Sequence, residues 1–250
     1  MREEFQRQYA EIQDRHWWFR GRRAIILRIL ERHLDPQVGD PPRTILDIGC
    51  GTGAMLPYLA AFGAARGIES DTGAVRLAQE RSLPVELASP PPLRVAEESL
   101  DLITAFDVFE HVDDDSTLAH DCRRALRPGG TLMLTVPAYE FLWGVQDEVS
   151  DHRRRYVASG MRELVRRAGF EVRRITYFNT LLFPAVAAVR VGSRIWPRSP
   201  KRGSDFELTP PGRANELLAR VLASEARLLD RITLPFGVSI LALAVKPAGG

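Results

Sequence analysis

The sequence predicts an α/β fold with a doubly wound, mostly parallel sheet, and three observations carry that prediction. Short, near-continuous apolar runs (TILDI at 44–48, LDLITAF at 100–106, TLMLTV at 131–136) have the length and composition of strands buried on both faces. Segments with apolar residues at helical spacing separate them, as expected when a crossover helix follows each strand. The first run ends in glycines at alternate positions, Gly49, Gly51 and Gly53, a strand-to-helix turn whose bare backbone can come within contact distance of a ligand.

In chain order, residues 2–14 and 21–34 read as helices, the second with Ile25, Ile26, Ile29 and Leu30 on one face. Between them His16-Trp17-Trp18-Phe19-Arg20 sets three large aromatics side by side. They cannot all enter one core from one helix face, so Trp17 and Trp18 are expected to line a cleft. Residues 35–42, with three prolines and a glycine, end this helical cap of residues 1–42.

A core of residues 43–178 follows. Residues 54–63 are expected to form the first crossover helix, 65–68 a strand ending at Glu69, 72–82 a helix and 85–88 a third strand. The fourth strand, 100–106, ends at Asp107, and 113–126 is a helix with Asp113 to Asp115 at its positive end. Pro128-Gly129-Gly130 turns the chain into a fifth strand, 131–136. Residues 137–156 read as a loop at the active edge of the sheet, 159–168 as a helix closed by Gly169, and 170–178 as a sixth strand. Residues 179–234 are a helical insertion: an amphipathic helix at 181–196, a basic linker at 197–203 and a helix at 214–232. Residues 235–250 return the last strand to the sheet.

Composition narrows the setting. With 250 residues, 45% hydrophobic and 26% charged, the chain can bury a sizeable core. Its net charge is +2, yet residues 151–202 hold 13 Lys/Arg against 3 Asp/Glu, a face that could meet a phosphorylated substrate or an anionic membrane surface. No nucleic-acid reading motif accompanies it, so no nucleic acid is expected. Cys50 and Cys122 form no CxxC pair, and the amino terminus has no apolar signal core, so a reducing, cytoplasmic setting is expected. The apolar run after residue 181 is too short to span a bilayer; peripheral membrane contact through 181–203 is the alternative. Oligomeric state stays open.

The glycine turn poses a choice of nucleotide. Gly49-x-Gly51-x-x-Ala54, with Glu69 twenty residues after Gly49, also satisfies the dinucleotide pattern, which keeps an NAD(P)-binding oxidoreductase in play. Asp47, inside the strand, favours a cationic ligand group instead. The order acid-G-x-G-x-G followed by GIESD at 67–71 resembles motif I and the second-strand acid of the class I S-adenosylmethionine (SAM)-dependent methyltransferases, small-molecule type, and LRPGGTLMLTVP at 126–137 resembles that family's fifth strand. The resemblance implies a Rossmann-like, doubly wound, seven-stranded sheet with an antiparallel last strand. It implies S-adenosyl-L-methionine as cofactor, held by Asp47, Gly49, Cys50, Gly51, Gly53, Glu69, Ser70, Phe106 and Asp107. Many members have an Asp where this chain has Ser89, so the resemblance implies Ser89 at the adenine position. Helices before the first strand often close over the ligands in this family, which would put Trp17 and Trp18 beside the acceptor, with Trp143 and Tyr156 from the loop.

Methyl transfer from a sulfonium needs mainly alignment, and a hydroxyl acceptor also needs its proton removed. His111, after the fourth strand, is the first candidate base, and His152 on the loop is the second. The expected activity is methylation of a small or lipid-like acceptor, at oxygen. Asp107-x-x-Glu110-His111 is similar to the acid-x-x-Glu-His stretch that ubiquinone-biosynthesis O-methyltransferases associate with a divalent cation, but the spacing is generic and no metal ligand is assigned. A non-catalytic, membrane-recruited SAM-binding protein is the other competing class.

Overall fold

The computed structural model describes residues 12–34, 41–195 and 212–249. The expectations for residues 2–11, 35–40 and the basic linker at 197–203 lie outside the described residues.

Seven strands form one sheet: β1 (Thr44–Ile48), β2 (Ala64–Glu69), β3 (Val85–Leu87), β4 (Leu100–Phe106), β5 (Leu126–Pro137), β6 (Glu171–Phe178) and β7 (Ser239–Val245). Their order is β3-β2-β1-β4-β5-β7-β6, with β7 antiparallel to both neighbours and the other pairs parallel. The order reverses at β1 and β4, so the crevice beyond their carboxyl ends is where a ligand of such a sheet binds. Register sets Asp47 opposite Thr104 across that pair.

Successive side chains on each strand feed two cores. Leu46, Ile48, Ile103, Ala105, Leu132 and Leu134 pack with helices α4 (Asp115–Ala125) and α6 (Ala158–Arg167). Ile45, Leu102, Met133, Leu241 and Leu243 pack on the opposite face with α1 (Trp17–His33), α2 (Leu56–Leu59), α3 (Thr72–Glu80) and α8 (Arg213–Leu229). Burial on both faces is why these strands read as continuous apolar runs.

Several boundaries depart from the sequence reading. The helix expected from residue 21 already starts at Trp17, because the His16 ring accepts the Trp18 N–H at 3.2 Å and caps it; the aromatic run is therefore the helix's first turn. The helix expected over 54–63 contracts to α2, since the glycine turn consumes residues up to Met55 and Gly63 must swing in against Arg43 to start β2. The fifth strand begins at Leu126, which pairs with Leu100 ahead of the glycines. The 137–156 loop holds a short helix, α5 (Val145–Val149), whose Asp147 accepts the Gly144 N–H at 2.8 Å.

α1 and α8 pack together on one face of the sheet. A Cβ on Gly21 would lie 2.6 Å from Leu222 Cβ, so the Leu222 side chain packs directly on the α1 backbone there. Arg20 pairs with Glu216 at 2.8 Å, Arg28 with Asp230 at 2.6 Å, and the Trp17 N–H donates to Asn215 at 2.8 Å. By contrast α7 (Phe183–Ile195) lies beside the turn Glu140–Leu142 with Val189 and Val191 exposed. The basic excess of 151–202 is partly neutralised by acids from elsewhere: Arg153 pairs with Asp113, Arg154 with Asp115 and Arg155 with Asp147.

Candidate active site

The turn after β1 holds Gly49 and Gly51 at φ +63° and +56°, conformations that disfavour a side chain. The two glycines do different work. A Cβ on Gly49 would strike Val108 at 2.6 Å, whereas one on Gly51 would meet, among the described residues, only the Gln13 amide nitrogen at 3.9 Å, so among those residues Gly51 presents the open side of the turn. Gln13 also accepts from the Thr52 hydroxyl at 3.1 Å, which lays the segment before α1 over the turn. Gly53 is a packing position against Leu83, and the buried Cys50 points its thiol at Gly67 under the turn, where burial pushes its pKa up. Cys50 thus reaches the socket through its backbone.

Glu69, at the end of β2, fixes the turn from the side. Its Oε2 accepts the Gly51 N–H at 2.9 Å; its Oε1 accepts the Ser70 and Asp71 N–H groups at 2.7 and 2.9 Å and the Ser70 hydroxyl at 3.1 Å. The cap of α3 is Asp71. Ser89 is exposed and follows Ala88, whose N–H donates to the Glu69 carbonyl at 2.9 Å, so Ser89 borders the same crevice.

Asp47 is 2% exposed and accepts the Thr104 hydroxyl at 2.6 Å. Burial pushes its pKa up to about 7, against the Thr104 hydrogen bond and the nearby Arg22 charge. Arg22 is a candidate site residue that the sequence reading does not contain. It rises from α1 with its guanidinium 4.4 Å over the Trp18 ring and pairs with Asp107. Asp107 sits at φ +58°, its Oδ1 accepting from the Thr135 hydroxyl at 3.0 Å, the kind of strained acid that clusters at functional sites. Phe106, just before it, is buried in the core shared with α1. Trp18 therefore meets the crevice through Arg22, while the Trp17 backbone is tied to α8. The signal available in sequence was the four-residue spacing of Trp18 and Arg22 on one helix face.

The two candidate bases come together. His111 ends the turn Phe109–His111, and its ring lies 4.7 Å, edge on, from that of His152. Although His111 as a residue is exposed, its ring is shielded enough that burial, then His152, lowers its pKa. Glu110 is fully buried, neither of its carboxylate oxygens has a hydrogen-bond donor among the described residues, and burial followed by the charge of Asp107 pushes its pKa up. His152 Nε2 lies 4.0 Å from Glu110 Oε1, while Nδ1 meets Asp147 at 2.8 Å. Burial works to raise the Asp147 pKa, but hydrogen bonds from His152 and Arg155 outweigh it and hold the carboxyl at about 2. Donor atoms of Glu110, His111 and His152 lie within 4.8 Å of one another, and among the described residues this is the group able to hold a divalent ion. The sequence motif had pointed to Asp107 in place of His152. Tyr156 holds the loop down, its hydroxyl 2.7 Å from Asp115 and 3.1 Å from the Phe109 carbonyl; Trp143 is half-buried on the same loop.

A methyltransferase-domain family model matches residues 15–175, which runs from the end of the amino-terminal segment into β6. The chain belongs to the S-adenosylmethionine-dependent methyltransferase family. It is 28% identical over 167 residues to a Mycolicibacterium smegmatis protein named as a probable S-adenosylmethionine-dependent methyltransferase, covering 64% of this chain and 62% of that one. It is also 28% identical over 190 residues to a ubiquinone biosynthesis O-methyltransferase of Cupriavidus pinatubonensis, covering 65% of this chain and 76% of that one. A solved SAM-dependent methyltransferase from Archaeoglobus fulgidus superposes with a TM-score of 0.56 at 18% identity, over 90% of this chain and 94% of that one, which speaks for the fold. The methyltransferase sheet and its glycine turn are thus those expected from the sequence.

Proposed function

We propose that this methyltransferase moves the methyl group of SAM to a hydroxyl of a small or lipid-like acceptor. The observation that carries the reading is the pairing of an acid-flanked glycine socket with two histidines beyond the end of β4. The residues fit the cofactor. The open side of Gly51 admits an adenosine against backbone, and Oε2 of Glu69 keeps a free lone pair for a ribose hydroxyl. Asp47 and Arg22 offer opposite charges for the amino and carboxylate groups of the methionyl part. SAM supplies the activated methyl group; the chain's own residues exclude water, align the acceptor and take its proton at His111 or His152. Trp18 and Trp143 are the aromatic residues proposed to border the acceptor, while Tyr156 serves them by tying the loop to Asp115.

Two features speak against a dinucleotide. α2 has four residues and offers almost no helix dipole for a pyrophosphate, and Asp47 would oppose one. The ubiquinone-pathway relative favours oxygen as acceptor atom and an apolar, quinol-like acceptor. Exposed Leu181, Val189 and Val191 support peripheral contact with a membrane holding such an acceptor; no helix among the described residues is long and apolar enough to cross one.

The test is incubation with methyl-labelled SAM and separated lipid, small-molecule, protein and RNA fractions. Label should enter an alkali-stable methyl ether in the lipid or small-molecule fraction. Label confined to protein or RNA, or tight NADH binding without a SAM response, would reject the reading.

A further inference from the structure

The loop that brings His152 to the site is built around one carboxylate. Asp147 is fully buried and receives four donors: His152 Nδ1 at 2.8 Å and Arg155 Nε at 2.8 Å on Oδ1, Arg155 Nη2 at 2.9 Å and the Gly144 N–H at 2.8 Å on Oδ2. Arg155 in turn donates to the Ala138 carbonyl at 2.9 Å, and the His152 N–H to the Asp147 carbonyl at 2.9 Å. From the other side, the Arg153 N–H and side chain donate to the carbonyls of Glu110 and His111, both at 2.8 Å. The ring of His152 therefore has little freedom to rotate.

An ionised carboxylate only accepts, so the ring nitrogen facing Asp147 must carry the hydrogen. Neutral His152 is then the Nδ1–H tautomer, and its lone pair is on Nε2, directed toward Glu110 and His111. We propose that Asp147 is a positioning residue that locks His152 in this tautomer, and that Nε2 of His152 is the atom that takes the acceptor's proton. The proposal rests on the methyl-transfer reading above. The acceptor O–H bond breaks and its proton passes to Nε2; the oxygen's electron pair forms the new C–O bond; the carbon–sulfur pair returns to sulfur, leaving a neutral thioether. The proton then leaves to water.

The tautomer can be read without any acceptor. Two-bond ¹H–¹⁵N correlation spectra of the full chain at pH 8 should show a pyrrole-type Nδ1 and a pyridine-type Nε2 for His152, assigned with His152→Gln. The Nε2–H tautomer in the wild type overturns the proposal. In Asp147→Asn the amide oxygen is claimed by Arg155 and its NH₂ turns to the ring, so the tautomer should invert. The turnover number should fall ~10²-fold or more while the KM for SAM changes by less than about threefold. His152→Gln should lose turnover to the same extent, and equal loss of SAM affinity in both variants would mean a merely structural role. Activity abolished by EDTA and restored by Mn²⁺ would also overturn the assignment, since Nε2 would then be a metal ligand. Failure of the methyl-transfer reading shows separately, as absence of SAM binding in calorimetry, and leaves the tautomer spectrum interpretable.

Discussion

Taking the pH from 8 to 6 should weaken SAM binding about tenfold, and the reason is the buried carboxyl of Asp47. In the free protein burial pushes its pKa up to about 7, so near neutrality part of the population holds a neutral acid where the proposed function requires an anion for the ligand's amino group. If only the ionised form is competent, apparent Kd is the intrinsic Kd divided by the ionised fraction, about nine-tenths at pH 8 and about one-tenth at pH 6. The tenfold ratio corresponds to about 1.4 kcal/mol. Titration calorimetry at pH 6 in two buffers of different ionisation enthalpy should show nearly one proton released per SAM bound. Asp47→Asn should bind weakly at both pH values and release none. A pH-independent Kd in the wild type, or the same slope in Asp47→Asn, would refute the reasoning. The same group makes a stability statement. Its folded pKa lies above the ordinary 3.8, so between the two the folded chain binds the extra proton and stability falls as pH rises through that window. The gap corresponds to on the order of 4 kcal/mol as an upper bound, and Asp47→Asn should raise the Tm of the ligand-free protein above pH 7, with the gain shrinking toward pH 4.

Three further outcomes are expected. Glu69→Gln should weaken SAM binding by about 10- to 100-fold in calorimetry, because charge-assisted hydrogen bonds to hydroxyls are worth about 1.5–3 kcal/mol each and the turn at Gly51 loses its anchor. Arg22→Ala should weaken SAM binding and also move the midpoint of the pH dependence above 7, since the Arg22 charge holds the Asp47 pKa down; an unmoved midpoint would place Arg22 elsewhere. Gly21→Ala should cost about 1–3 kcal/mol in urea unfolding by driving a methyl into Leu222, and an unchanged midpoint would contradict the close packing of α1 on α8.

Much of this was legible because the informative features are local. β1, its glycines, Glu69 and the end of β4 at Phe106 follow from contiguous residues, and two-sided burial leaves apolar runs that need no tertiary knowledge. What stayed hidden depends on partners distant in sequence. Arg22 reads as one arginine among several until the fold sets it beside Asp107, 85 residues away. Asp147 is hidden for a different reason: His152 and Arg155 lie only five and eight residues on, but the loop has no periodicity that would announce those bonds. The basic character of 151–202 is overstated in sequence because Asp113, Asp115 and Asp147 come from outside the stretch. Helix lengths failed where turns competed with them, at residues 54–63, and where a histidine ring supplied a cap that residue preferences do not favour, at His16.

The union of α1 with α8 links partners 196 residues apart, Arg20 and Glu216, and α1 also carries Arg22 to the cofactor side. During synthesis the glycine turn, Glu69 and Asp107 all emerge from the ribosome well before α8 does. A nascent chain stopped short of residue 213 would own every acid of the socket yet lack the clasp that keeps its arginine in place. On the proposed function, such a chain should bind SAM poorly although every candidate residue of the socket is present.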